Sequence, residues 1–118
     1  MATQDRVGFV SAATGKVYVQ RASGRMEAAY VGLPVLMSNL VLTLSNSYAD
    51  VTFDVGGVVA INMNTIVRID GPRQVTDITE RSLAETLLMT IGETWDKVTK
   101  QQQEVQFQTH GGVLGIKG

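Results

Sequence analysis

The sequence contains no cysteine, which removes disulfides, thiolate nucleophiles and cysteine-built metal sites together. Histidine and tryptophan occur once each, as His110 and Trp95, and proline twice. A chain this poor in histidine has little material for general-base or zinc chemistry. Charge of one sign is missing too: ten basic residues stand against eleven acidic ones, for a formal net charge of −1. That balance supplies no electrostatic footprint for nucleic acid or anionic lipid, and no nucleic-acid partner is expected. The nearest approaches to a basic patch, Arg21 with Arg25 and Lys97 with Lys100, read as solvated faces. No apolar run reaches the roughly twenty residues of a membrane-spanning helix. The opening MATQDRVGFV lacks the apolar core of a signal peptide. On these grounds the chain does not itself span a membrane, and it is either cytosolic or has had a leader removed.

The composition that remains, 44% apolar and 18% charged over 118 residues, suffices for one core and one domain spanning residues 1–118. Twelve glycines divide the chain into short segments in which apolar residues recur at every second position, the period of half-buried strands. Val7 and Phe9 are followed, across a turn at Ala13-Thr14-Gly15, by Val17 and Val19. A second turn at Ala22-Ser23-Gly24 leads back through Met26, Ala28 and Tyr30, and this spacing predicts an antiparallel meander. Gly32-Leu33-Pro34 breaks the ladder, because proline has no amide to offer a central strand, so Val35 to Ser38 is expected as a crossing segment or an edge. Leu40, Leu42 and Leu44 share one face of the next strand, which turns at Asn46-Ser47.

The centre is the clearest part. Ala49, Val51, Phe53 and Val55 alternate with Asp50, Thr52 and Asp54, Gly56-Gly57 permits positive backbone angles, and VVAIN returns as a β-hairpin. TIVRID follows, with Ile66 and Arg68 on one side and Thr65, Val67 and Ile69 on the other, and the segment ends at Gly71-Pro72.

Residues 73–104 admit two readings. Asp77 and Glu80 have capping-box spacing, and Leu83, Leu87, Ile91, Trp95 and Val98 recur at helical intervals, which predicts a helix from about 79 to 101. Against it stand Gly92, which costs about 1 kcal/mol inside a helix, and the branched Thr86, Thr90, Thr94 and Thr99. The rival is a hairpin with Leu87, Met89 and Ile91 on one strand, a bend at Gly92, and Thr94 to Thr99 returning. Gln101 to Glu104 reads as a polar loop, after which Val105 and Phe107 alternate into Thr109 and VLGI forms the last apolar run.

None of this spacing assembles a reactive site. His110, between Thr109 and a glycine pair, reads as an exposed turn residue rather than the base of a triad. Asp50 and Asp54 lie on one strand as a glycosidase pair could, yet both alternate with the apolar face and belong to its solvent side. Gly56-Gly57 and Gly111-Gly112 lack the lysine and hydroxyl residue of a phosphate loop. The aromatics Phe9, Tyr18, Tyr30, Tyr48, Phe53 and Phe107 fall in alternating segments and are expected in the core, with Trp95 at core or rim. No catalytic, cofactor-binding or metal-ligating residue is assigned, and no cofactor or small-molecule ligand is expected.

The order of these features resembles the FecR-like domains of bacterial envelope proteins. Gly32, Val35, Val41 and Thr43 sit in that family's second element, with Ser38 and Asn39 where it has glycine and aspartate. Tyr48 to Phe53 enters the hairpin, with Val55-Gly56-Gly57 in place of Asp-Gly-Ser, and Asn64-Thr65 precedes the TIVRI strand. VQFQTHGGVLGIKG is similar to the family's closing segment, with His110 for proline and Lys117-Gly118 for Arg-Gly, so the chain stops just inside a motif that the family continues. The resemblance runs from Val7 to Gly118. It implies an apolar strand, a glycine and an aromatic-bearing strand over LLMTIGETWDKV, and so favours the hairpin there.

The expected fold is therefore an all-β single domain of about eight to ten short antiparallel strands, a sandwich or solenoid-like roll, with room for one helix within 78–101. The resemblance implies a non-enzymatic module in the periplasm or outside the cell, which recognises a protein partner or self-associates through strand edges and relays a surface or transport signal. Two alternatives stand beside it: a self-assembling subunit of a surface filament or matrix, and a carbohydrate-binding β domain using Trp95.

Overall fold

The alternating segments become strands in a computed structural model that describes residues 5–92 and 113–117. In chain order these are β1 (Arg6–Thr14), β2 (Val17–Gln20), β3 (Met26–Ala28), β4 (Pro34–Leu36), β5 (Leu40–Thr43), β6 (Tyr48–Phe53), β7 (Val58–Ile61), β8 (Thr65–Gly71), β9 (Gln74–Asp77), the helix α1 (Arg81–Thr90) and β10 (Val113–Lys117). They form two antiparallel five-stranded sheets. Sheet A has the order β10-β7-β6-β1-β4 and sheet B the order β3-β2-β5-β8-β9. The chain is thus mostly β, as its period predicts, and the two sheets pack face to face.

The predicted hairpin between β6 and β7 forms, with Ala49 opposite Ile61 and Val51 opposite Val59, but Val55 does not continue the inward alternation and is exposed in the turn. Gly56 and Gly57 both take positive φ, 104° and 101°, in its turn. The expected meander at the start does not form as such. β2 and β3 pair, but β1 and β2 lie in different sheets. The corner between them is held from outside: the Lys16 amide donates to Ser47 Oγ at 2.8 Å, and the Leu44 amide donates to the Lys16 carbonyl at 3.1 Å. The turn from β5 to β6 that supplies those partners also passes from one sheet to the other, so the two crossings brace one another.

Between the sheets lie Val7, Val10, Val51, Phe53, Val59 and Ile61 from sheet A against Val17, Val19, Val41, Val67 and Ile69 from sheet B, all buried. Gly8 lets β1 and β6 approach closely, because a Cβ there would fall on the Thr52 carbonyl oxygen. The opposite face of sheet B is apolar too. Leu42, Leu44 and Ile66 are buried under Ala84, Leu87 and Leu88 of α1, with Tyr18, Met26 and Leu40 packed around them. The leucine stripe of β5 thus faces the helix while Val41 faces the sandwich.

Helical periodicity describes residues 81–90 correctly, and the hairpin reading of Leu87, Met89 and Ile91 does not hold. Stacking apolar residues every third or fourth position on sheet B buries them, whereas alternation would have left Leu88 outside. Asp77 is not the cap. The N-cap is Glu80, without a side-chain bond, and Asp77 Oδ1 instead accepts from the Thr79 amide at 3.0 Å and hydroxyl at 2.6 Å. The chain arrives there from a further hairpin that the pattern did not announce, β8 to β9, turning on Pro72 and on Arg73 with φ 61°. The expectations for Trp95, Lys97, Lys100, the 101–104 loop, Val105 to Thr109, His110 and Gly111-Gly112 lie outside the described residues.

Candidate recognition edges

The carboxylates considered from the sequence do not converge on chemistry. Asp54 is exposed and holds Arg6 Nε at 3.0 Å, and Asp50 lends its backbone carbonyl to the Ser11 hydroxyl at 3.3 Å. Among the described residues no cluster of three histidine, cysteine, aspartate or glutamate side chains could hold a metal ion. The aromatics divide. Phe53 is in the sandwich core and Tyr18 lies beside the helix, but Tyr30 and Tyr48 correct the core expectation, being 59% and 42% exposed. Tyr30 stands in a turn, where period-two alternation no longer governs direction.

The surfaces that remain are the sheet edges, where backbone donors and acceptors point outward and can take another strand. Sheet A ends in β4 and β10, and sheet B in β3 and β9.

The β4 edge is closed by a side-chain network. Pro34 has no amide, and its carbonyl accepts from Arg21 Nη1 at 2.9 Å. The Leu36 amide donates to Asn39 Oδ1 at 3.0 Å, and the Leu36 carbonyl accepts from the Asn39 amide at 3.2 Å. The same Asn39 oxygen takes a second bond from Arg21 Nη1 at 2.7 Å, and Arg21 Nε donates to Glu27 Oε2 at 3.0 Å. Arg21 is therefore not the solvated residue its spacing implied. Its side chain is 15% exposed against 75% for Arg25, because bonds to both sheets hold it in the corner between β2 and β4. The Arg21 hydrogen bond, aided by the charges of Arg21 and Arg25, keeps the Glu27 carboxyl below its ordinary range. Periodicity did not single out Asn39, since a buried amide between two strands leaves no periodic trace.

In sheet B, β3 is only three residues long, and β9 ends where Asp77 folds back on Thr79. Beside β9 the Thr76 hydroxyl donates to Asp70, which with Arg68 holds the Asp70 carboxyl low as well. β10 is different. It pairs with β7, Val113 opposite Ile61 and Lys117 opposite Val58, and among the described residues nothing engages its outer side. Its run Val113–Lys117 contains neither proline nor an interior charge, two common means of blunting an edge, though its pairing with β7 is bulged between Val113 and Gly115.

Comparison with known proteins gave no match: no family model fits the chain, and no curated protein or solved structure is significantly similar to it.

Proposed function

We propose that the chain is a non-enzymatic protein-recognition module of the bacterial cell envelope, FecR-like in kind, which accepts a partner strand along β10. The observation that carries this reading is the contrast between the two edges of sheet A: β4 has its outward groups occupied by Arg21 and Asn39, while β10, bulged between Val113 and Gly115, has no partner on its outer side among the described residues. Strand addition draws affinity from main-chain hydrogen bonds, so it needs an accessible edge and no reactive side chains. The resemblance set out from the sequence supports the envelope setting and a role in relaying a surface or transport signal, with Asn39 serving as a hydrogen-bond acceptor where the FecR-like pattern has aspartate. No helix among the described residues is long and apolar enough to cross a membrane.

Sedimentation velocity over a wide concentration range tests the reading against that of a structural subunit. A recognition module remains a monomer or a closed dimer throughout. Species that lengthen steadily with concentration would replace the proposal with a filament subunit.

A further inference from the structure

Apart from the β10 edge, we infer that the outer face of sheet A seats a basic side chain of a protein partner, lysine or arginine, with its cationic head on Asp50. The class of partner rests on the recognition reading, whereas the face itself lies across β1, β6 and β7. α1 covers the outer face of sheet B and not this one. Ala49, Val51 and Phe53 are buried between the sheets, so Tyr48, Asp50 and Thr52 share the opposite side of β6. Ala12 of β1 and Ala60 of β7 flank Asp50. The irregularity in β1 between Val10 and Ala12 adds Ser11 to this face: its hydroxyl accepts from Thr52 Oγ1 at 2.7 Å and donates to the Asp50 carbonyl at 3.3 Å.

Charge selects the occupant. Glu27 is held by Arg21, Asp54 by Arg6, Asp70 by Arg68 and Asp77 by Thr79. Asp50 is half-buried, yet its carboxylate has neither hydrogen bond nor ion pair among the described residues. A charge stripped of part of its water and given no partner is destabilising, and an arriving cation relieves that. The neighbours on β6 suit a cation as well. Thr52 Oγ1 gives its proton to Ser11 and keeps lone pairs for an incoming N–H. The Tyr48 ring is 42% exposed and tethered by its hydroxyl to Met63 Sδ at 3.8 Å. It stands two residues from Asp50, about 7 Å along the strand, so a cation on that side of the carboxylate lies within the roughly 6 Å at which cation–π attraction acts. The methyl groups of Ala12 and Ala60 leave a low lane across the strands, in which the aliphatic stem of the basic side chain lies. Among the described residues no group of three acidic or histidine side chains gathers here for a metal ion instead.

The test titrates Nα-acetyl-lysine amide into the isotope-labelled chain and follows the amide NMR signals. Tyr48, Asp50 and Ala60 are expected to shift with a Kd on the order of 1 mM. Nα,Nε-diacetyl-lysine amide, which lacks the charge, should bind about fivefold more weakly or worse, and so should the charged probe to Asp50→Asn. Tyr48→Leu should weaken the charged probe by about twofold to fivefold. Glu85→Gln, on the exposed side of α1, should leave its binding unchanged. Thermal unfolding at pH 7 gives a second readout: Asp50→Asn is expected to melt at or above the unaltered chain, because it removes an unpartnered charge. A lower melting temperature for Asp50→Asn means that the carboxylate is paired within the chain and overturns the inference. Equal affinity for the charged and neutral probes, equal affinity of Asp50→Asn and the unaltered chain, or no shift of those signals at about tenfold higher concentration overturns it too. Each of these outcomes leaves the strand-addition reading, which sedimentation tests, standing.

Discussion

Asn39 serves two donors with one oxygen, the Leu36 amide and the Arg21 guanidinium, in a site from which water is excluded. Removing that oxygen strands both donors. Asn39→Ala is expected to cost about 2–3 kcal/mol, seen as a lower urea midpoint with an unchanged slope. Asn39→Asp should lose much less at neutral pH. The carboxylate keeps both bonds, strengthens the one to Arg21, and removes the Asn39 Nδ2 donor, which has no partner among the described residues. Glu27 carries a pH signature of the same corner. Its carboxyl is held below the ordinary range chiefly by the Arg21 hydrogen bond, so the stabilisation is complete above the unfolded pKa and fades as pH falls through the depressed folded one. Glu27→Gln should therefore melt below the wild type by about 1 kcal/mol at pH 7. The gap should narrow toward zero in strong acid, as followed by thermal unfolding across a pH series.

At the scale of elements, α1 is held by what it covers. Leu88 is fully buried against sheet B and Met89, its neighbour in sequence, is 77% exposed. Leu88→Ala is expected to destabilise by about 2–4 kcal/mol and Met89→Ala by less than about 0.5, measured by chemical denaturation. The contrast also shows which signals the chain wrote plainly. Helical spacing at Leu83, Leu87 and Ile91 described the element better than the FecR-like resemblance did, because the stripe had a sheet to cover. The β6–β7 hairpin was legible for a similar reason: alternation and a glycine pair specify face and turn together. The β1–β2 corner was not, since period two states which side chains face inward but not which sheet a strand joins, and Ala13-Thr14-Gly15 looks the same in a hairpin as in a crossing. The turn at Pro72-Arg73 escaped because arginine at positive φ is no turn signal. The closed edge at β4 was half visible: Pro34 marked an edge, but its partners Arg21 and Asn39 come from other elements and look ordinary in sequence.

For the whole molecule, sheet B is the shared wall of two apolar layers, one facing sheet A and one beneath α1. β5 sits at its middle, with Val41 in the first layer and Leu42 in the second. Its amides should open only with global unfolding and exchange more slowly than those of the edge strands β3 and β9, measured by native-state hydrogen exchange. Equal rates across sheet B would mean that the helix layer comes away independently.

The braced crossings at Lys16 and Ser47 have one more effect, on the order in which the chain acquires structure. Because β1 turns away from β2, its neighbours in the sheet, β4 and β6, must come from later in the chain, as when Phe9 meets Pro34 and Thr52. An emerging polypeptide can zip β2 to β3 early, yet its first strand must wait through the making of four more before β6 can flank it. Distant partners of this kind slow the search, and a nascent chain carries Val7 to Val10 uncovered until β4 and β6 have been made.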